Sequence, residues 1–344
     1  MKKVSISPGI CLSPQVIGLS VMLMAVGVPQ LQAGSKPLEN EVIDVINGLN
    51  EPVGVVVSAN SKYVYVAESG NNTLAVIDAA THQIIDNAIY AGSAPYGVAL
   101  TPNGKTLYVG NDGGASGFAT NSFIQTQSLI TSSFSFGLVV SPNGKSLYVV
   151  DNSVPGQISV SDTAGAGTFV TNIAVGNGPV DVAFTPKGKT AYVTNADDGT
   201  VSVIDVKTGT VTGSPITGLD QPYGINITPN GDTAYVLNLD SVGVIDTKTN
   251  MVTSSLDLSA YGNGTGYFMA LTPDGKYLYV PVTNFPSKGS LVVIDTTTNA
   301  VTTPAPAAQL GDSPTAIAIS PNGKYAYVTD YFDGTVTVIA ISGD

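Results

Sequence analysis

Ser320-Pro-Asn-Gly-Lys-Tyr-Ala-Tyr-Val-Thr329 reads as a tight turn feeding a strand. Pro321 presets one turn dihedral and Gly323 supplies a positive φ. The same frame returns at Pro102-Asn103-Gly104, Pro142-Asn143-Gly144, Pro186-Lys187-Gly188, Pro229-Asn230-Gly231 and Pro273-Asp274-Gly275. The Tyr-Val pair that follows stands at Tyr65, Tyr108, Tyr148, Tyr192, Tyr235, Tyr279 and Tyr327, with spacings of 43, 40, 44, 43, 44 and 48 residues. Before each turn lies an alternating apolar strand, as in Tyr223-Gly-Ile-Asn-Ile-Thr. After the Tyr-Val strand come a third, such as Gly199-Thr-Val-Ser-Val-Ile-Asp205, and a fourth, such as Thr210 to Ile216. Four short strands in each of seven repeats predict an all-β fold, a seven-bladed β-propeller of four-stranded antiparallel blades. The blades begin near residues 52, 95, 135, 179, 222, 266 and 314.

Ring closure is also legible. The last repeat stops after its third strand, Val336 to Ile341, while Glu41-Val-Ile-Asp-Val-Ile46 precedes the first full repeat as an orphan. Residues 41–46 are expected to supply the missing outer strand of the last blade, which leaves no inner edge unpaired. Residues 34–344 are then one propeller domain.

With Tyr192-Val-Thr-Asn195, Gly199 to Asp205 and Ser320 to Thr329 in view, the chain resembles the YVTN-repeat β-propellers over about residues 40–344. The resemblance is specific for fold. For function it implies only a range: cell-surface and surface-layer proteins, lactonase-like enzymes, and a periplasmic single-stranded-DNA binder. Three repeats depart from the pattern. The first has Ser58-Ala-Asn-Ser61 in place of Pro-x-Gly, the second loses its Ile-Asp third strand within Gly113 to Gln127, and the sixth has a longer loop, Thr283 to Lys288.

Lys2 and Lys3 precede an uncharged, mostly apolar run from Val16 to Val28, and Leu31-Gln32-Ala33 offers a small-residue cleavage site. Residues 1–33 read as a secretory signal peptide, and the run is short for a membrane span. The expected location is periplasmic, secreted or cell-surface, with no span left after removal. Cys11 lies before the apolar run, so the remaining chain has no cysteine. That chain carries 11 Lys against 25 acids, or −14.

The composition closes several routes to catalysis. There is no Arg, no Trp and one His among 344 residues. Guanidinium clamps on phosphate are absent, and Cys/His zinc sites cannot be built. His82 aligns with Gly209, Asn250 and Asn299, a turn position that favours positive φ, so no catalytic role is assigned to it. Asp78, Asp205, Asp246 and Asp295, four residues earlier, are expected to cap the same turns. No catalytic residue is named, and the repeated tyrosines are expected to pack between blades.

Binding chemistry is better represented. Inter-blade links and second-to-third-strand loops share one face of a propeller, which holds twelve acids against Lys288. The opposite turn face holds nine Lys against seven acids. Asp197 and Asp198, then Asp330 and Asp333, place paired carboxylates on short loops of the acidic face. At the head of the innermost strands, Tyr96, Phe136, Tyr223 and Tyr267 should ring the channel mouth, with Asp181 beside them. These residues suggest a non-catalytic scaffold that engages a protein or a carbohydrate at the cell envelope, as a monomer and without an obligate cofactor.

A divalent cation such as calcium remains open, although neither paired-carboxylate loop has a full oxygen set. The alternative is a lactonase-like hydrolase in the channel, with a metal held by Glu51, Asp181 and Asn226. Nucleic acid is disfavoured, since a face this acidic repels phosphate.

Overall fold

The computed structural model describes residues 39–164, 167–302 and 308–342. The expected signal peptide, residues 1–33, lies outside the described residues.

The Pro-x-Gly turns form as the sequence predicts. In blade 5, Thr228 Oγ1 donates to Asn230 Oδ1 at 2.6 Å, and the same oxygen accepts Asp232 N–H at 3.0 Å. Gly231 then takes φ +79°. The irregular first turn reaches the same geometry by other means. Ser58 Oγ donates to Asn60 Oδ1 at 2.8 Å, and Ser61 adopts φ +56° in glycine's place.

Seven antiparallel sheets follow in chain order. Blade 1 runs outward through Pro52–Val57, Tyr63–Glu68, Thr73–Asp78 and Ile84–Tyr90. Blade 4 runs through Pro179–Phe184, Thr190–Asn195, Thr200–Asp205 and Thr210–Val211. Blade 7 has Pro314–Ile319, Tyr325–Asp330 and Thr335–Ser342, and its outer strand is Glu39–Asn47. Val42 pairs with Ile339 and Val45 with Thr337, so the ring closes as the orphan strand predicted.

Blade 2 differs from the expectation. Its long strand Thr106–Ala119 pairs inward with Val98–Leu100 and outward with Gln125–Phe134. The chain doubles back within that span: Thr120 N–H donates to the Lys105 carbonyl at 3.0 Å. The third strand is therefore present, shortened at Gly113-Gly114, with Ala119 where five other blades have Asp. Gly113 at φ +95° and Gly114 at φ +148° permit the sharp reversal.

The core is distributed around the ring. Among the described residues, seven apolar clusters each span one seam between neighbouring blades. The Tyr of every Tyr-Val pair is buried in a seam, at most 3% exposed. At the axis, the innermost strands approach so closely that a Cβ on Gly54 would meet the Tyr96 carbonyl oxygen at 2.1 Å. Gly97 stands similarly against Phe136 O, and Gly137 against Val180 O. Small residues at the channel thus follow from backbone packing.

Candidate functional site

Threonine explains part of the Tyr-Val-Thr-Asn signature. Thr194 Oγ1 donates to the carbonyl of Tyr223 in the next blade at 2.6 Å and accepts the Asp181 N–H at 3.0 Å. Thr329 does the same in blade 7, donating to Val53 O at 2.6 Å and accepting from Ala316 N–H at 3.1 Å. These hydroxyls fix the innermost strands, and with them the channel mouth.

The four aromatic residues read from the sequence do come together there. Tyr96 packs edge-on to Phe136, with centroids 5.1 Å apart, and to Tyr267 at 5.7 Å. Tyr267 meets Tyr223 at 5.7 Å. Phe134 and Phe268, which sequence reasoning missed, complete the cluster at 5.7 Å and 6.4 Å from Tyr96. The tilted contacts suit ring quadrupoles. An open aromatic rim was expected; instead, blades 2 and 6 touch across the axis through Tyr96 and Tyr267. Burial, with Tyr267 beside it, holds the Tyr96 hydroxyl well above the ordinary phenol range.

A cavity of about 140 Å³ is lined by Gly54, Gly97, Gly137, Asp181, Phe268 and neighbours. Asp181 occupies the position that is glycine in blades 1, 2, 3 and 5. Its carboxylate accepts Ile225 N–H of the next blade at 3.0 Å and its own Val182 N–H at 2.8 Å. Burial outweighs these bonds and pushes its pKa up to about 6.

The proposed oxygen donors are engaged separately. Glu51 is exposed and accepts a long bond from Ser69 Oγ at 3.4 Å. Asn226 Nδ2 donates to Met269 O at 3.0 Å. Among the described residues, no three His, Cys, Asp or Glu side chains converge as a metal site. Glu51, Asp181 and Asn226 are each held by hydrogen bonds of their own.

The paired carboxylates divide into two kinds. Asp330 is fully buried and accepts from Gly311 N–H at 2.9 Å, Thr335 Oγ1 at 3.1 Å and Thr337 Oγ1 at 2.6 Å. Burial raises its pKa to about 6 despite these donors. It sits at the fourth position of the repeat motif, where blade 4 has Asn195. Asn195 Nδ2 donates to Thr200 Oγ1 at 3.1 Å and Ser202 Oγ at 3.0 Å. Glu68 and Asp151 fill the same buried position in blades 1 and 3. The sequence puts these three among the twelve acids of the loop face; in the structure they are buried and organise its loops from within. The signal was available, since a carboxylate or carboxamide follows Tyr-Val by two residues in six repeats.

Asp197, Asp198 and Asp333 are outward. Asp198 accepts Asn177 N–H at 2.8 Å and its Nδ2 at 3.1 Å. Asp333 accepts Lys288 Nζ at 3.0 Å, and that bond holds its pKa below the usual carboxylate range. Glu51, Asp112, Asp220 and Asp240 share this face and are exposed. Among them project four apolar tips from second-to-third-strand loops: Val154, Leu239, Phe285 and Phe332, at 85%, 43%, 67% and 57% exposure.

Comparison with known proteins agrees on the architecture. A family model described as "Lactonase, 7-bladed beta-propeller" matches residues 238–344. "Antigen Lp49" of Leptospira interrogans serogroup Icterohaemorrhagiae serovar copenhageni (strain Fiocruz L1-130) is 33% identical over 113 residues. That match spans 30% of this chain and 23% of the relative's length. A chain of Kuenenia stuttgartiensis hydrazine synthase superposes with a TM-score of 0.72 at 23% identity, covering 86% of this chain and 97% of that one. The last likeness is one of fold. The chain is a seven-bladed β-propeller whose final blades resemble the lactonase propellers.

Proposed function

We propose that this propeller is a non-catalytic binding scaffold whose loop face takes a basic, amphipathic protein segment. The carrying observation is the set of four exposed apolar tips standing among outward carboxylates. Apolar anchors within a charged surround have the composition of a protein docking surface. The acids would steer a cationic partner and the tips would bury against its apolar side chains. Residues 1–33, read as a signal peptide, would carry this activity out of the cytoplasm, with residues 34–344 as the working domain. Among the described residues no helix is long and apolar enough to cross a membrane.

The test is titration with a basic amphipathic helical peptide by calorimetry at low and high salt. Affinity should fall with salt, and should be lost in the Phe285→Ser/Phe332→Ser double variant at unchanged melting temperature. Binding insensitive to both changes would overturn the reading, as would preferential binding of a neutral saccharide to this face.

A second reading, lactone hydrolysis in the channel, draws its support from the family match over residues 238–344. Turnover of a panel of lactones, abolished by Asp181→Asn, would favour it over the scaffold. No turnover across the panel would count against it.

A further inference from the structure

A groove of about 460 Å³ opens on the turn face between blades 1 and 2, away from the loop face. That volume lies within the range of small-molecule sites. Its lining contains Tyr63, Phe123, Ile85, Asn60, Asn103 and Asn121, and no Asp, Glu or Lys. The neutrality has a cause in the repeat. Third strands end in Asp78, Asp162, Asp205, Asp246 and Asp295, but in blade 2 that position is Ala119. Blade 2 alone among the first six lacks the carboxylate at its third-to-fourth-strand turn.

Aromatic surface takes its place. Tyr63 and Tyr65 have centroids 6.4 Å apart, and Tyr65 and Phe123 6.1 Å. Phe123 occupies the left-handed turn position held elsewhere by His82, Gly209, Asn250 and Asn299, at φ +54°. A bulky aromatic residue in that region is disfavoured, and strain of this kind is retained where the side chain has a use. Ile85, 55% exposed, adds an apolar rim.

The carboxamides are oriented by the turns. Asn60 Oδ1 accepts Ser58 Oγ at 2.8 Å and Lys62 N–H at 3.1 Å. Asn103 Oδ1 accepts Thr101 Oγ1 at 2.8 Å and Lys105 N–H at 3.0 Å. With each oxygen committed, each Nδ2 is left as a donor, and neither has an acceptor among the described residues.

We infer that this groove binds a neutral pyranosyl oligosaccharide. The apolar C–H face of a sugar ring packs on Tyr63 or Phe123, and ring hydroxyls accept from the Asn60 and Asn103 amides. A charged ligand would be desolvated here without a counter-charge, which a neutral one avoids. The site is independent of the loop-face reading and lies on the other side of the ring.

The test is calorimetric titration of the full chain with cellotriose, maltotriose and triacetylchitotriose in turn. At least one should bind. Phe123→Gly removes the ring at a position where blade 4 carries Gly209, so the fold should hold while affinity falls about tenfold or more. Asn103→Asp removes the donor and keeps the turn, because Asp274 makes the same turn in blade 6, accepting Thr272 Oγ1 at 2.6 Å and Lys276 N–H at 3.1 Å. It too should cost about tenfold. The loop-face Asp197→Lys/Asp198→Lys variant should leave saccharide affinity unchanged. Loss of affinity in either groove variant at wild-type melting temperature supports the site. Failure of all three saccharides to bind, unchanged affinity in both groove variants, or loss in the loop-face variant overturns it.

Discussion

Tyr192 of blade 4 donates its hydroxyl to Asn250 Oδ1 of blade 5 at 2.7 Å. Tyr235 repeats the bond to Asn299 of blade 6 at 2.8 Å. Tyr279 finds Asn40 of the closing strand, also at 2.8 Å. At the closing seam the pattern breaks: the equivalent acceptor position in blade 1 is His82, and Tyr327 Oη has no hydrogen-bond partner among the described residues. His82 Nδ1 instead pairs with Asp44 Oδ2 at 2.9 Å, tying blade 1 to the outer strand of blade 7. One seam has exchanged a buried hydrogen bond for one nearer the surface.

His82→Asn should therefore stabilise the ring. A buried hydroxyl left without a partner costs about 1–3 kcal/mol. The bond from His82 to a carboxylate as exposed as Asp44 contributes about 0–1 kcal/mol. The expected net gain is about 1 kcal/mol, read as a higher urea midpoint at unchanged slope. A lower midpoint would show that the His82–Asp44 pair, and not the missing bond, dominates this seam.

Gly54→Ala should be among the most damaging single changes. Its Cβ would stand 2.1 Å from the Tyr96 carbonyl oxygen, a backbone atom that cannot rotate away. The clash should cost more than about 3 kcal/mol. Gly209→Asn is the control: a Cβ there meets nothing within 4 Å, and Asn250 already occupies the equivalent position at φ +54°. It should change stability by less than about 0.5 kcal/mol. Equal effects of the two substitutions in thermal unfolding would refute the close-packed axis.

The contrast between these glycines shows what the sequence could reveal. Gly209 was readable, since Asn and His alternate with it at one turn position and all share a need for positive φ. The tyrosines, the turns and the closing strand were equally local, each fixed by a few neighbouring residues repeated seven times. Asp330 was misplaced because alternation cannot separate an acid on a loop from one folded beneath it. That distinction depends on Thr335 and Thr337 turning their hydroxyls inward. Phe134 and Phe268 were missed because neither stands at the aligned head of an innermost strand: Phe134 ends the outer strand of blade 2, and Phe268 reaches Tyr96 from a blade far along the sequence.

Two buried carboxylates set an acid-side stability profile. The folded pKa values of Asp330 and Asp181 are about 6, raised by burial from 3.8. Between those values the folded chain holds protons that the unfolded chain has released. This contribution is therefore full below the unfolded value and lost as pH rises through about 6. Asp44 and Asp333 are lowered by His82 and Lys288 respectively, so their contribution is lost only as pH falls below the ordinary carboxylate range. The melting temperature should rise from about pH 7 to about pH 5 and fall in stronger acid. Asp330→Asn, which installs the residue blade 4 carries at Asn195, should flatten the rise. A profile identical to wild type would remove Asp330 as its source.

The closing strand offers the most direct test of ring integrity. Glu39–Asn47 pairs along Thr335–Ser342, Ile46 is buried in the seam between blades 7 and 1, and Asn40 accepts the Tyr279 hydroxyl. A chain beginning at Gly48 loses all three contacts and leaves the third strand of blade 7 as an unpaired edge. Its melting temperature should drop, and it should associate with itself through that edge. Asn40→Ala isolates one part of the loss, the buried acceptor, and should cost about 1–3 kcal/mol. A synthetic peptide spanning residues 39–47, added to the shortened chain, should restore the melting temperature in proportion to its concentration. The peptide carries its own ladder bonds and the Tyr279 acceptor, so rescue requires no other part of the chain. A shortened chain that melts like the full one, or that gains nothing from the peptide, would mean that the ring is held by its seams without this strand.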